Sequence, residues 1–196
     1  MTESTALTRY GSQYRAKKAM FNFLGASFRL YSPDGSLAFF VKQKAFKLKE
    51  EITVYADEGM KDAMLRIKAR SVMDVSATYD VTDAATGEVV GAMRRKGLRS
   101  LFRDEWSILD TDDNEVGSVK EDSGLMAMVR RFLIKIIPQT FRVNVGGNEV
   151  GLIKQTWNIF ALTYDVDFSA DAVSALDRRL AVAMVVLLLA IEGRQN

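Results

Sequence analysis

The chain contains neither cysteine nor histidine in its 196 residues. Without cysteine it can form no disulfide, no thiolate nucleophile and no thiolate metal site, a composition compatible with a reducing cytoplasm. Without histidine it lacks the one side chain that titrates near neutrality and the commonest metal ligand. Ser-His and Cys-His catalysis, HExxH zinc chemistry and most zinc hydrolases are thereby excluded. An enzyme built on this sequence would have to work with Asp, Glu, Lys, Tyr or Ser. The motifs for such work are missing too: there is no GxSxG elbow, no GxxxxGK[ST] phosphate loop and no dinucleotide fingerprint. Asp104 with Glu105, and Asp165 with Asp167, form carboxylate pairs, but hairpin ends routinely carry acids. The expectation is a non-catalytic protein with no cofactor and no metal.

What is present is globular. Hydrophobic residues make up 48% and charged residues 27% of the chain, which is neither a disordered nor a polytopic membrane composition. The length suits one domain. The N-terminus has no apolar core followed by a small-residue cleavage site and reads as lacking a signal peptide. The net charge of +2 hides an asymmetry: residues 1–50 hold nine Lys or Arg against Glu3, Asp34 and Glu50. A basic front end suits an anionic partner, and equally a solvated charged face. Elsewhere basic and acidic residues are nearly balanced and no nucleic-acid reader motif occurs, so no nucleic acid is expected.

A repeated unit organises the chain: an aromatic residue opening an alternating stretch, a polar or glycine-containing turn, then a second apolar stretch. Phe28-Arg29-Leu30 leads through Pro33-Asp34-Gly35 to Val41-Lys42, and Tyr79-Asp80-Val81 through Thr86-Gly87 to Val89-Val90. Trp106-Ser107-Ile108 leads through Asp112-Asp113-Asn114 to Val116 and Val119, and Phe141-Arg142-Val143 through Gly146-Gly147-Asn148 to Val150 and Ile153. Each is a hairpin signal. Ile52 to Tyr55, a turn near Asp57-Glu58-Gly59, and Met64 to Ala69 make another, and a late strand covers Ile159 to Phe168. Alternation of period two means one wet and one buried face per strand, the antiparallel pattern of a sandwich or barrel.

Two segments break that pattern. Residues 125–137 place apolar side chains on one arc and Arg130, Arg131 and Lys135 on the other, ending at Pro138: an amphipathic helix that either seals the barrel or lies in a membrane interface. Residues 169–192 form a second helix, with Asp171 in its first turn and Gly193 just beyond its end. Its stretch 180–191 is apolar on every face, yet reaches only roughly 18 Å against the ~30 Å of a hydrocarbon core. Extension in either direction meets charges, Asp177, Arg178 and Arg179 or Glu192 and Arg194, each costing about 2.5–3.5 kcal/mol at mid-membrane. No transmembrane span is expected. The helix must then be enclosed by protein, and a barrel wrapped around it meets that need.

Several stretches carry a family resemblance: Phe40-Val41-Lys42-Gln43-Lys44-Ala45-Phe46-Lys47-Leu48, the hairpin from Tyr79 to Gly91, Trp106-Ser107-Ile108-Leu109-Asp110, and Asp177-Arg178-Arg179-Leu180-Ala181. Over roughly residues 25–192 the chain resembles LURP-one-related proteins, grouped with phospholipid scramblases and tubby C-terminal domains. The resemblance implies a mainly β fold: a closed antiparallel barrel of about a dozen strands around a buried apolar C-terminal helix. Residues 1–24 would be an N-terminal extension, and 25–196 a single barrel domain with central helix 169–192. Tubby domains bind phosphoinositides, and scramblases act at membranes and are linked to calcium. The implied function is association with anionic phospholipid headgroups, at a cytoplasmic, membrane-peripheral location. Its alternatives are a protein-interaction scaffold and scramblase-like activity.

Basic residues two apart on strands are the candidate headgroup contacts: Lys42 and Lys44, Lys47 and Lys49, Arg66, Lys68 and Arg70, and Arg94 and Lys96. Each set projects from one strand face, where it can meet a phosphate or simply solvent. Arg130, Arg131 and Lys135 are the candidate membrane-interface residues. Asp110, Asp112, Asn114 and Glu121 fall at positions 1, 3, 5 and 12 of a calcium loop. Glu115 occupies the sixth position, where the sharp turn needs glycine, so the segment reads as a hairpin turn.

Overall fold

The computed structural model describes residues 9–19, 25–44, 51–70, 77–96, 105–122, 138–156 and 161–191. Twelve strands close into one antiparallel barrel: β1 (Gln13–Ala19), β2 (Gly25–Tyr31), β3 (Leu37–Lys44), β4 (Ile52–Tyr55), β5 (Ala63–Ala69), β6 (Thr78–Asp83), β7 (Val89–Arg95), β8 (Glu105–Leu109), β9 (Glu115–Glu121), β10 (Thr140–Val145), β11 (Asn148–Thr156) and β12 (Ala161–Asp167). Each strand pairs with its neighbours in sequence. β1 then pairs with β12 from Gln13↔Asp167 to Ala19↔Ala161, which leaves no open edge. The strand that closes the barrel thus comes from within residues 1–24, the stretch read from sequence as an extension.

Alternation sets the inside and outside. On β5, Leu65 and Ile67 are fully buried, while Arg66 and Lys68 are exposed. The hairpin turns follow their chemistry. Gly146 and Gly147 take φ of 57° and 83° in the two-residue connection of β10 and β11, the left-handed geometry that such turns require. Asp34 accepts from the backbone N–H and hydroxyl of Ser36 to close the β2–β3 turn, at 2.9 and 2.7 Å.

The lumen is filled by helix α1 (Arg178–Ile191), whose residues from Leu180 to Ile191 are all buried. It starts later than the expected 169. Asp177 is its N-cap: the carboxylate accepts from the Arg179 N–H at 2.8 Å, and the carbonyl accepts from Ala181 at 3.0 Å. Asp171, read as a first-turn acid, instead anchors the connection before the helix. Its buried carboxylate accepts from the N–H groups of Ala175 (2.8 Å) and Leu176 (3.1 Å) and pairs with Arg178 at 3.3 Å. Gly91 lets the helix approach. A Cβ there would stand 2.5 Å from the Leu109 carbonyl oxygen and 3.1 Å from Leu180 Cδ1, at a φ of 142°. Among the described residues no helix is long and apolar enough to cross a membrane.

Up-and-down connectivity separates the two ends of the barrel. Connections 32–36, 56–62, 84–88, 110–114, 146–147 and 168–177 lie at the end where α1 begins. They carry ten acidic residues against Lys61 alone. At the other end, where α1 finishes, the strands are joined through residues outside the described set.

Candidate anionic-ligand surface

Register places the basic residues. Val41 faces Val54 across β3 and β4, so Lys42 shares a cross-strand row with Thr53, and Thr53 is in register with Arg66. All three point outward. Lys42 and Arg66 are therefore rooted two strands, or about 10 Å, apart, and Lys68 is about 7 Å further along β5. Flexible stems of that length can converge on one phosphate-bearing group. Lys44 is the last residue of β3, in register with Gly25.

The candidates divide by what holds them. Lys42, Arg66 and Lys68 are exposed. Lys42 and Lys68 make no ion pair with a described residue, and Arg66 has only Glu51 at 3.6 Å, with both side chains about half exposed. Arg70 is committed to the fold. Its guanidinium pairs with Asp113 and with Asp80, each at 2.7 Å. These hydrogen bonds, Asp113 first, raise its pKa further above the ordinary arginine value. The same contact ties the β8–β9 turn back across the outer face. Arg94 is half-buried and donates from Nε to Thr78 Oγ1 at 3.2 Å. Lys96 sits between Glu115 at 3.1 Å and Glu105 at 3.2 Å, and Lys120 joins Glu105 at 3.4 Å. Partial desolvation opposes its charge, but the two carboxylates outweigh that and raise its pKa.

Lys47, Lys49, Arg130, Arg131 and Lys135 lie outside the described residues. The acidic stretch from 110 is a turn. Asp110 accepts from the backbone N–H groups of Asp112 and Asn114, each at 2.9 Å, and from Asn114 Nδ2 at 3.1 Å. These contacts, led by the Asn114 side chain, hold its pKa below the usual carboxylate value. Asp113 is spent on Arg70, and among the described residues no cluster of three acidic side chains has metal-binding geometry.

A second pair of exposed basic residues lies apart from β3 and β5, on the closing strand. Arg15 and Lys17 alternate on β1 just as Arg66 and Lys68 do on β5, and both are exposed. Their signal lay in the stretch assigned to an extension. Phe40 shows the opposite case, an aromatic ring on the outer face covered by the Arg29 guanidinium 5.3 Å from its centroid. Arg29 is held there by a two-pronged pair with Glu58 at 2.7 and 3.2 Å.

Compared with known proteins, residues 37–189 match the family model described as LURP-one-related. No curated protein and no solved structure matches the chain.

Proposed function

The chain belongs to the LURP-one-related family, within the tubby-like and scramblase superfamily, and on that premise we propose that it is a non-catalytic binding module for anionic membrane phospholipid. Phosphoinositide-like headgroups would be held on the outer face of β3 and β5, with the protein peripheral at a cytoplasmic membrane surface. The observation that carries this reading is the unequal treatment of the basic residues. Arg70 and Lys96 are neutralised by carboxylates at hydrogen-bonding distance, whereas Lys42, Arg66 and Lys68 stand exposed and close together. Lys42 and Lys68, with no ion pair to a described residue, and Arg66, with only a long, exposed pair to Glu51, are free to attract an anionic surface, each worth about 1 kcal/mol near it.

The charge along the barrel supports an orientation. Of the ten acids in the hairpin-end connections, Glu58, Glu88, Asp113, Asp171 and Asp177 are paired with arginines. Asp34, Asp57, Asp62, Asp110 and Asp112 still outweigh Lys61, so this end is repelled by the same surface and faces away. A lumen carrier is disfavoured by the helix, whose buried side chains occupy the space a lipid chain would need. The test is co-sedimentation with vesicles of neutral lipid and with vesicles containing phosphoinositide, at low salt. Retention on the anionic vesicles alone supports the reading. Indifference to both replaces it with the protein-interaction scaffold.

A further inference from the structure

A second basic feature lies outside the surface just described. A groove of about 570 Å³ opens between the outer face of β1 and the β2–β3 turn, walled by Arg15, Lys17, Tyr31, Ser32, Pro33 and Asp165. The volume is within the range of small-molecule sites, roughly 300–1,000 Å³. Arg15 is fixed by its Nε, which donates to Asp165 Oδ1 at 2.7 Å, and its two terminal amino groups make no hydrogen bond with a described residue. Lys17 rests its ammonium 5.4 Å from the centroid of the Tyr31 ring and makes no ion pair with a described residue. That cation–π contact is a weak hold at an exposed site, easily exchanged for an anion. Beside Lys17 in register is Thr163, whose buried hydroxyl has no hydrogen-bond partner among the described residues.

We propose that this groove binds a soluble organic phosphate that also carries hydroxyl groups. Two cations two residues apart on one strand face, a planar fork and a mobile ammonium, are suited to a multi-oxygen tetrahedral anion. Asp165 leaves Oδ2 open as an acceptor for a ligand hydroxyl, and Tyr31 and Ser32 also line the groove. The net charge of the three ionic groups is positive, so the phosphate is drawn in and Asp165 selects for a polyol over a second anion. The position favours a soluble source over a lipid one, because the groove is bounded by a turn at the acidic hairpin end, which the proposed function turns away from the bilayer. The choice of a soluble source rests on that orientation, whereas the groove and its charges do not.

The experiment is calorimetric titration of the full chain with inositol 1-phosphate and, separately, with inorganic phosphate, alongside vesicle co-sedimentation. Inositol 1-phosphate is expected to bind at sub-millimolar concentration and more tightly than inorganic phosphate. Lys17→Glu and the gentler Lys17→Met should each weaken it about tenfold or more, with cooperative melting retained. Lys17→Met should leave vesicle binding unchanged, while Arg66→Glu with Lys68→Glu should leave the soluble titration unchanged. Absence of heat and of any melting shift with inositol 1-phosphate at millimolar concentration overturns the proposal. So does equal affinity for inorganic phosphate, which would mark an unselective anion site, or loss of vesicle binding in Lys17→Met, which would mark a lipid contact.

Discussion

Inside the barrel, Lys18 of β1 donates from its ammonium to the carbonyl oxygen of Leu189 at 3.0 Å, joining the closing strand to the last turn of the central helix. The carbonyls at a helix C-terminus have no partner within the helix, and a cation there also meets the negative end of the helix dipole. Lys18 is 8% exposed and lies 5.4 Å from the centroid of the Phe28 ring, so its charge is shielded from water and answered by the helix. The strand that completes the sheet thus also seats the helix.

Replacing Lys18 by methionine keeps the length of the stem and removes the donor. The Leu189 carbonyl is then left buried without that bond, at a cost of about 1–3 kcal/mol. Urea unfolding should show a lower midpoint with an unchanged slope. An unaltered midpoint would mean that the contact contributes nothing to seating the helix.

The helix is core, and Val185, 1% exposed within it, is the place to show this. Val185→Asp buries an unpaired carboxylate, a penalty comparable to the whole stability of a domain. Truncation after Arg179 removes the lumen filling altogether. Neither chain should retain a cooperative melt. A truncated protein that still melts cooperatively would show that the barrel stands without its helix.

Strands whose inward series is uniformly apolar were legible from sequence. Leu65 and Ile67 alternating with Arg66 and Lys68 leave no doubt about β5, and the turn residues at Gly35, Gly87 and Gly146-Gly147 locate three hairpins. β1 was not legible, because its inward series is Tyr14, Ala16 and Lys18, a methyl and an ammonium where large apolar groups are expected. The helix start was not legible for a related reason. Asp171 and Asp177 both precede apolar residues, and only the tertiary partner Arg178 shows that Asp171 serves the connection and Asp177 the cap. Spacing likewise shows which basic residues share a face but not which are neutralised. Arg70 finds Asp113 at a separation of 43 residues through the folding-back of a turn, a relationship no local pattern encodes.

The turn at Asp110 gives a simple prediction about calcium. Its carboxylate is already occupied by backbone N–H groups and by Asn114. A metal that bound only the native state would raise the melting temperature by linkage. No rise is expected on adding calcium at sub-millimolar concentration, and a clear rise would require the turn to be a metal site.

Stability against pH should be a plateau with two edges. With no histidine in the chain, no side chain titrates from an ordinary pKa near neutrality. On the acid side, burial alone would raise Asp83, but the N–H groups of Thr86 and Ala85 and the guanidinium of Arg179 outweigh it and hold it below the usual carboxylate value. Asp167 is lowered by the backbone and side chain of Ser169. Depressed carboxylates stabilise the fold above their unfolded pKa, and that contribution is lost as pH falls from about 4 through the folded values. On the alkaline side, burial pushes the Tyr14 phenol up to about 12, and Tyr10 is raised further by burial. Raised phenols stabilise below their unfolded pKa of about 10, and the contribution is lost as pH climbs through the folded values. Melting temperature should be flat between about pH 5 and 9, and a step near pH 6.5 would contradict this.

The central claim, that exposed basic residues on β3 and β5 hold an anionic bilayer, is tested most directly by vesicle affinity as a function of salt for the wild-type chain and for Arg66→Glu with Lys68→Glu. Screening acts over a Debye length of ~10 Å at 0.1 M salt, so wild-type affinity should fall steeply as salt rises. At ~1 kcal/mol for each basic residue, losing two weakens binding by about 30-fold or more. Both side chains face water, so the variant should melt as the wild type does. Wild-type binding that ignores salt, or a well-folded double variant that binds phosphoinositide vesicles as tightly as the wild type, would contradict the account.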